Sequence, residues 1–294
     1  ISMKNILEVT GLEKKYKDFK LKNLDFSLPE GCVTGFIGTN GAGKTTTIKS
    51  ILDIIHRDKG SVRFFGKSSE GNLSEIKNRL GVVFDDSYFY DELTMAEMKS
   101  IIAPVYSQWS DSRYKSYMEK FNLNPNQKIL TLSKGMKTKF SLVLALSHEA
   151  ELLIMDEPTS GLDPLMRSQL LEILKDYMKE GGKGVFFSTH IVSDLEKIAD
   201  MLILIDNGEI LLKEEKDILL DKYRKIKGDV KLLNDNYRKL FLNLKVTDYG
   251  FTGITSHVKE LERELKSIVV ERPSLEEIML AYFERRRENV DSFN

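Results

Sequence analysis

The sequence predicts an α/β protein built on a mostly parallel sheet, followed by a small α+β appendage. Three observations carry that reading. Short apolar runs alternate with stretches of helical periodicity. One strand-to-helix junction is glycine-rich, at residues 38–43, and beyond about Lys216 the charges become dense and near-balanced.

The elements follow in order. Asn5 to Thr10 is a short apolar run, and Lys20 to Leu28 alternates, with Leu21, Leu24, Phe26 and Leu28 on one face. Pro29-Glu30-Gly31 closes it as a turn. Val33 to Ile37 reads as a buried strand, and Thr45 to Ile55 as the helix after the glycine-rich loop. Ser61 to Phe65 and Leu80 to Phe84 are further strands. From Thr94 to about His148 the period is mostly helical, broken at Pro104 and Pro125. Leu152 to Met155 and Val185 to Ser188 have the continuous apolar character of buried parallel strands. Leu165 to Lys179 and Ser193 to Ala199 read as helices, and Met201 to Leu212 as a hairpin turning at Asn207-Gly208. Two domains result: residues 3–216, with a helical subdomain over about 86–150, and residues 217–294. In the second, Leu275, Ile278, Met279 and Tyr282 share one helical face that Ser274 is placed to cap.

Composition removes several function classes. With 294 residues, 41% hydrophobic and 30% charged, the chain can bury a core, and extensive disorder is excluded. The 44 Lys+Arg against 45 Asp+Glu exclude a globally basic nucleic-acid binder. The single cysteine, Cys32, excludes an internal disulfide framework and suits a reducing cytoplasm. No apolar run approaches the roughly 20 residues that span a bilayer.

Two motifs carry chemistry. Gly38-Thr39-Asn40-Gly41-Ala42-Gly43-Lys44-Thr45 matches the phosphate-loop pattern G-x-x-x-x-G-K-[ST] in its required strand–loop–helix context. Its glycines let backbone N–H groups converge on phosphate oxygens at a helix N-terminus, where Thr46 also lies. Lys44 is placed for the β- and γ-phosphates and Thr45 for Mg²⁺. Leu152 to Met155 ends in Asp156-Glu157, carboxylates at the rim of a parallel strand. Asp156 is assigned to Mg²⁺ and its waters. Glu157 is assigned to the attacking water, as base or positioner.

Leu132-Ser133-Lys134-Gly135-Met136 then resembles the signature of the ATP-binding cassette (ABC) family. Ser160-Gly161-Leu162-Asp163 resembles its D-loop, His190 its switch histidine, and Tyr16 its adenine-stacking aromatic. The resemblance covers about residues 4 to 215. It implies an ABC-type cassette with a phosphate-loop core, an antiparallel β subdomain and a helical subdomain. It further implies ATP and Mg²⁺ as ligands, and a second cassette, identical or different, as partner. Ser133 and Gly135 would contact the partner's nucleotide, with Lys134, Met136 and Asp163 at the dimer interface. Two departures stand out. Lys134 replaces a glycine, as is common among drug, peptide and toxin exporters. Asp85 stands where the family has glutamine or sometimes glutamate. Asp85 is accordingly assigned near the metal and the water, through a bridging water rather than directly.

The resemblance implies the ATPase subunit of a bacterial exporter of peptide, antibiotic or toxin. Its separate transmembrane permease would hold it, cytoplasmic and peripheral, on the inner face of the membrane. The alternative is a soluble ABC ATPase acting on ribosomes or DNA. Against it, the chain has one phosphate loop and neither heptads nor cysteine clusters. Lys134, Lys137 and Lys139 read as a solvated or phosphate-facing group, so no nucleic-acid partner is expected. Tyr88-Phe89-Tyr90 and Trp109 fit equally a face for the permease or packing of the helical subdomain.

Overall fold

The computed structural model describes residues 4–85 and 88–291. Met3 and Asp86, the starts of the first domain and of its helical subdomain as read from sequence, lie outside them. The chain forms two compact units, one ending at Lys213 and one beginning at Glu214. That division falls a few residues before the change in charge density, within the last strand of the first sheet.

The first unit runs β1 (Asn5–Lys15), β2 (Lys20–Pro29), β3 (Val33–Ile37), α1 (Lys44–Ile51), β4 (Lys59–Phe64), β5 (Lys67–Ser68), α2 (Leu73–Asn78) and β6 (Leu80–Val83). It continues through α3 (Met95–Ile102), α4 (Asp111–Lys120), α5 (Lys134–Leu146), β7 (Leu152–Asp156), α6 (Pro164–Met178), β8 (Gly184–Thr189), α7 (Val192–Ile198), β9 (Met201–Asp206) and β10 (Glu209–Glu215). The central sheet has the order β10-β9-β3-β8-β7-β6, and all its strands except β10 are mutually parallel. Strands β3, β7 and β8 are buried at every position, which is why they read as continuous apolar runs. A second, antiparallel sheet has the order β2-β1-β4-β5. Its strand β2 is the one that alternates, because only one face meets the core. Phe26 of β2 stacks on Phe36 of β3 and Phe186 of β8, at ring separations of 6.0 and 5.8 Å. That contact joins the two sheets.

Helix α1 stops at Ile51, four residues before the periodicity suggested. Asp53 takes a left-handed φ of 54°, which breaks the helical repeat, and its carboxylate receives Arg57 at 2.5 Å. Phe65, read as the end of a strand, likewise has φ 52° and lies outside β4.

The β9–β10 turn has positive φ at both Asn207 and Gly208, as a type I′ turn requires. It also does something the sequence did not announce. Gly208 N–H donates to the carbonyl of Ala42 in the glycine-rich loop, at 2.9 Å, and Lys22 N–H donates to the carbonyl of Gly208. A Cβ on Gly208 would sit 1.9 Å from the backbone oxygen of Lys20. Gly208→Ala is therefore expected to destabilise this unit by at least about 2 kcal/mol, combining left-handed strain with backbone displacement. A urea melt of the two proteins measures it; a loss under half that size would mean the hairpin tip gives way freely.

Helix α5 packs on β6, whose Gly81 leaves room for Leu153 and for the carbonyl of Ala145. Below it, His148 stacks on Tyr106 with ring centroids 3.7 Å apart. Its two ring nitrogens lie 3.1 and 2.9 Å from the carbonyls of Leu144 and Leu80. Burial pushes its pKa below the usual histidine value. Among the described residues no helix is long and apolar enough to cross a membrane.

The second unit contains α8 (Lys216–Lys222), β11 (Arg224–Gly228), α9 (Asp235–Arg238), β12 (Phe241–Thr247), β13 (Gly250–Thr255), α10 (Val258–Glu264), β14 (Val269–Glu271) and α11 (Leu275–Asp291). Its sheet is antiparallel, ordered β12-β13-β11-β14. Ile226, Phe241, Phe251, Leu261 and Leu265 form its core. Ser274 caps α11 reciprocally: it accepts from Glu277 N–H at 3.2 Å, and the Glu277 carboxylate accepts from Ser274 N–H at 2.9 Å.

Candidate functional site

The C-terminal ends of β3, β6, β7 and β8 lie side by side in the central sheet, and the candidate residues hang from them. A cavity of about 550 Å³ opens there, lined by Tyr16, Asn40, Gly41, Gly43, Lys44, Thr45, Thr46, Asp85, Asp156 and Glu157. Phe19 also lines it. Sequence reading missed Phe19, although it accepts a backbone hydrogen bond from Tyr16 in the turn between β1 and β2.

The glycine-rich loop turns through left-handed residues, Gly41 at φ 81° and Gly43 at φ 111°. A Cβ on Gly43 would meet Leu21 and Phe19 at 2.8 Å, so the loop is packed from behind as well as bent. Lys44 opens α1 and is 6% exposed. Its ammonium donates to the carbonyls of Gly38 at 2.8 Å and Thr39 at 3.2 Å, and lies 3.0 Å from Glu157 Oε1. Thr45 Oγ1 donates to Asp156 Oδ2 at 2.6 Å.

Asp156 and Glu157 are then held by β8. In the parallel register Asp156 stands opposite Ser188. Ser188 Oγ donates to Asp156 Oδ1 at 2.5 Å and accepts from Glu157 N–H at 3.2 Å. No motif pointed to Ser188; only strand pairing brings it here. Glu157 itself has a left-handed φ of 49°, a costly conformation for a residue with a side chain. The bend aims its carboxylate between two partners, Lys44 at Oε1 and His190 Nδ1 at Oε2, the latter at 2.8 Å. His190 is thus a direct neighbour of Glu157.

The signature-like residues are not among those lining this cavity. Ser133 is the N-cap of α5, accepting from Met136 N–H, and Asp163 is the N-cap of α6, accepting from Leu165 and Met166 N–H at 3.0 Å. Gly135 is buried, and a Cβ there would lie 2.9 Å from Met166 and 3.2 Å from Leu162. It therefore seats the two helices on each other. Lys134 reaches back from α5 to Asp85, Nζ to Oδ1 2.5 Å.

Among the described residues no group of three or more His, Cys, Asp or Glu is placed to hold a metal ion unaided. Thr45 and Asp156 nonetheless present a hard, oxygen-only pair. Mg²⁺ is commonly held in this manner, with one or two protein ligands and the remaining positions filled by phosphate and water. The arrangement can bind a nucleoside triphosphate and direct a water through Glu157.

Two further grooves lie beside β6. One groove of about 560 Å³ is lined by Leu52, Leu73, Phe84, Val105 and Tyr106 among others, and a smaller one of about 190 Å³ by Tyr88, Phe89 and Ile102. Tyr88 and Tyr90 are 72% and 67% exposed. Phe89 packs on Phe140, whereas Trp109 packs on Tyr114 and donates to Asp111. The aromatics therefore divide between surface and packing.

The family model described as ABC transporter matches residues 21–160. The bacitracin transport ATP-binding protein BcrA of Bacillus licheniformis is 34% identical over 226 residues, 76% of this chain and 74% of its own length. The protein of that name from Enterococcus faecalis is 29% identical over 89% of both chains. The linearmycin resistance ATP-binding protein LnrL of Bacillus subtilis is 30% identical over 89% of this chain and 86% of its own. A solved structure described as the ATP-binding subunit of an ABC transporter superposes with a TM-score of 0.67 at 30% identity, covering 74% of this chain and 92% of that one.

Proposed function

We propose that this chain, which belongs to the ABC transporter family and is an ATPase of that family, powers a bacterial exporter of peptide, antibiotic or toxin. The observation that carries the ATPase reading is the convergence of Lys44, Thr45, Asp156, Glu157 and His190 at one sheet edge. The exporter reading draws on relatives whose names concern bacitracin transport and linearmycin resistance. ATP lies with its base toward Tyr16 and its phosphates on the loop from Gly38 to Thr46. Thr45 and Asp156 hold Mg²⁺, which when bound supplies charge neutralisation at the phosphates. Glu157, held by His190, orients and deprotonates the attacking water.

Two cassettes close around the nucleotides, with Ser133, Lys134, Gly135, Met136 and Asp163 at the seam. The exposed N-cap positions of Ser133 and Asp163 support this, because helix N-termini favour an approaching anion. Residues 217–294 assist contact between cassettes or its regulation. The membrane-spanning partner is a separate chain that docks in the apolar cleft beside Phe84, Val105 and Tyr88 and keeps this subunit at the inner membrane face. The alternative of a ribosome- or DNA-acting ATPase draws no support from these relatives.

Affinity purification from detergent-solubilised membranes tests the exporter reading. A polytopic membrane protein should co-purify in stoichiometric amount, and Val105→Glu, at a position 67% exposed, should release it. Recovery of ribosomal proteins or DNA, with no membrane chain, would sink it.

A further inference from the structure

The first turn of α5 contains two lysines, Lys134 and Lys137, and no acidic residue. Cations at a helix N-terminus face the positive end of the helix dipole and are disfavoured there. Both are compensated from one stretch of chain after β6. Lys134 Nζ lies 2.5 Å from Asp85 Oδ1, and Lys137 Nζ lies 2.9 Å from Asp91 Oδ1. The Lys134 stem passes Gly161, where a Cβ would come within 3.4 Å of its Cδ. The same stretch is pinned by backbone bonds, from Leu130 N–H to Asp91 O and from Ile129 N–H to Leu93 O, both 2.9 Å.

Asp85 matters because of what else it touches. It lines the cavity that also contains Asp156 and Glu157. A third carboxylate at the mouth of a cavity for a polyphosphate repels the ligand unless something neutralises it. We propose that Lys134 is a positioning residue for nucleotide binding: it neutralises Asp85 and holds it at the rim of the cavity, with Lys137–Asp91 as a second fastening. The two departures from the family pattern, Lys134 and Asp85, are then one feature. The signature turn and the end of β6 are joined by charge, and losing Lys134 is costly only while Asp85 is there to repel the ligand.

This inference rests on the nucleotide reading of the cavity, and its test separates the two. Isothermal titration with ATP in EDTA, at low salt, is run on wild type, Lys134→Met, Asp85→Asn and the double variant. Metal-free binding is a readout apart from turnover. Lys134→Met is expected to weaken ATP about two- to five-fold, the scale of a partly exposed ion pair. In the Asp85→Asn background the same substitution should change nothing. Adding 0.5 M NaCl should shrink the wild-type difference, because salt screens exposed charges. Equal weakening in both backgrounds, or none in either, overturns the proposal. Failure of wild type to bind ATP overturns the nucleotide reading instead. Both side chains are more than a third exposed, so the variants should fold. Lys134→Gln repeats the cycle should Lys134→Met melt early.

Discussion

Glu157→Gln is expected to bind ATP and to hydrolyse it about 10² to 10⁴ times more slowly, the range set by loss of a general base or water-positioner. The geometry gives the reason. Glu157 follows Asp156 at the end of β7, and its left-handed φ of 49° turns its carboxylate toward Lys44 and His190. The amide is nearly isosteric, so it can still meet Lys44 through its oxygen, but it cannot take a proton from water. Single-turnover hydrolysis with radiolabelled ATP measures the effect, and gel filtration should show the variant accumulating as an ATP-bound dimer. Turnover within a few-fold of wild type would remove Glu157 from the chemistry.

Lys44→Ala is expected to weaken ATP binding by about 10- to 100-fold, the worth of one hydrogen bond to a charged group. Lys44 is the fixed cation of the cavity and is buried among carbonyls and a carboxylate, so it is positioned before any phosphate arrives. Titration with a fluorescent ATP analogue reads the change. Unchanged affinity would place the nucleotide elsewhere. A melting curve is needed beside it, because the alanine also loses the bonds to Gly38 and Thr39.

The part of the fold visible in the sequence was the part written locally. Val33 to Ile37, the glycine-rich loop and Leu152 to Asp156 announce themselves because burial on both faces gives unbroken apolar runs and phosphate loops need glycine at fixed spacing. The contacts between distant segments were not visible. Ser188 reaches Asp156 only through strand register, and Gly208 braces Ala42 only because a hairpin folds back over the loop. In the second unit, β11 was obscured by composition. Its sequence, Arg-Lys-Ile-Lys-Gly, offers one apolar side chain, Ile226, while Lys225 and Lys227 pair with Glu271. A strand whose partners are charged gives a weak period-two signal. The pair Lys134–Asp85 was legible only as two separate departures from a family pattern, until the structure set them 2.5 Å apart.

The contact between Lys44 and Glu157 has a consequence for how affinity should be read. The ammonium to which the proposed function gives the nucleotide's phosphates is already gripped by an anion belonging to the same chain, 3.0 Å away. Glu157 is therefore a tethered rival of the phosphate, present at fixed effective concentration and impossible to dilute. Every measured ATP affinity is the difference between two claims on one cation. Neutralising the rival weakens its claim, so the variant that cannot turn over should also hold ATP more tightly than the enzyme that can. Slow release and lost chemistry would then arise together from a single oxygen-to-nitrogen exchange. Metal-free binding measurements would tell the two apart.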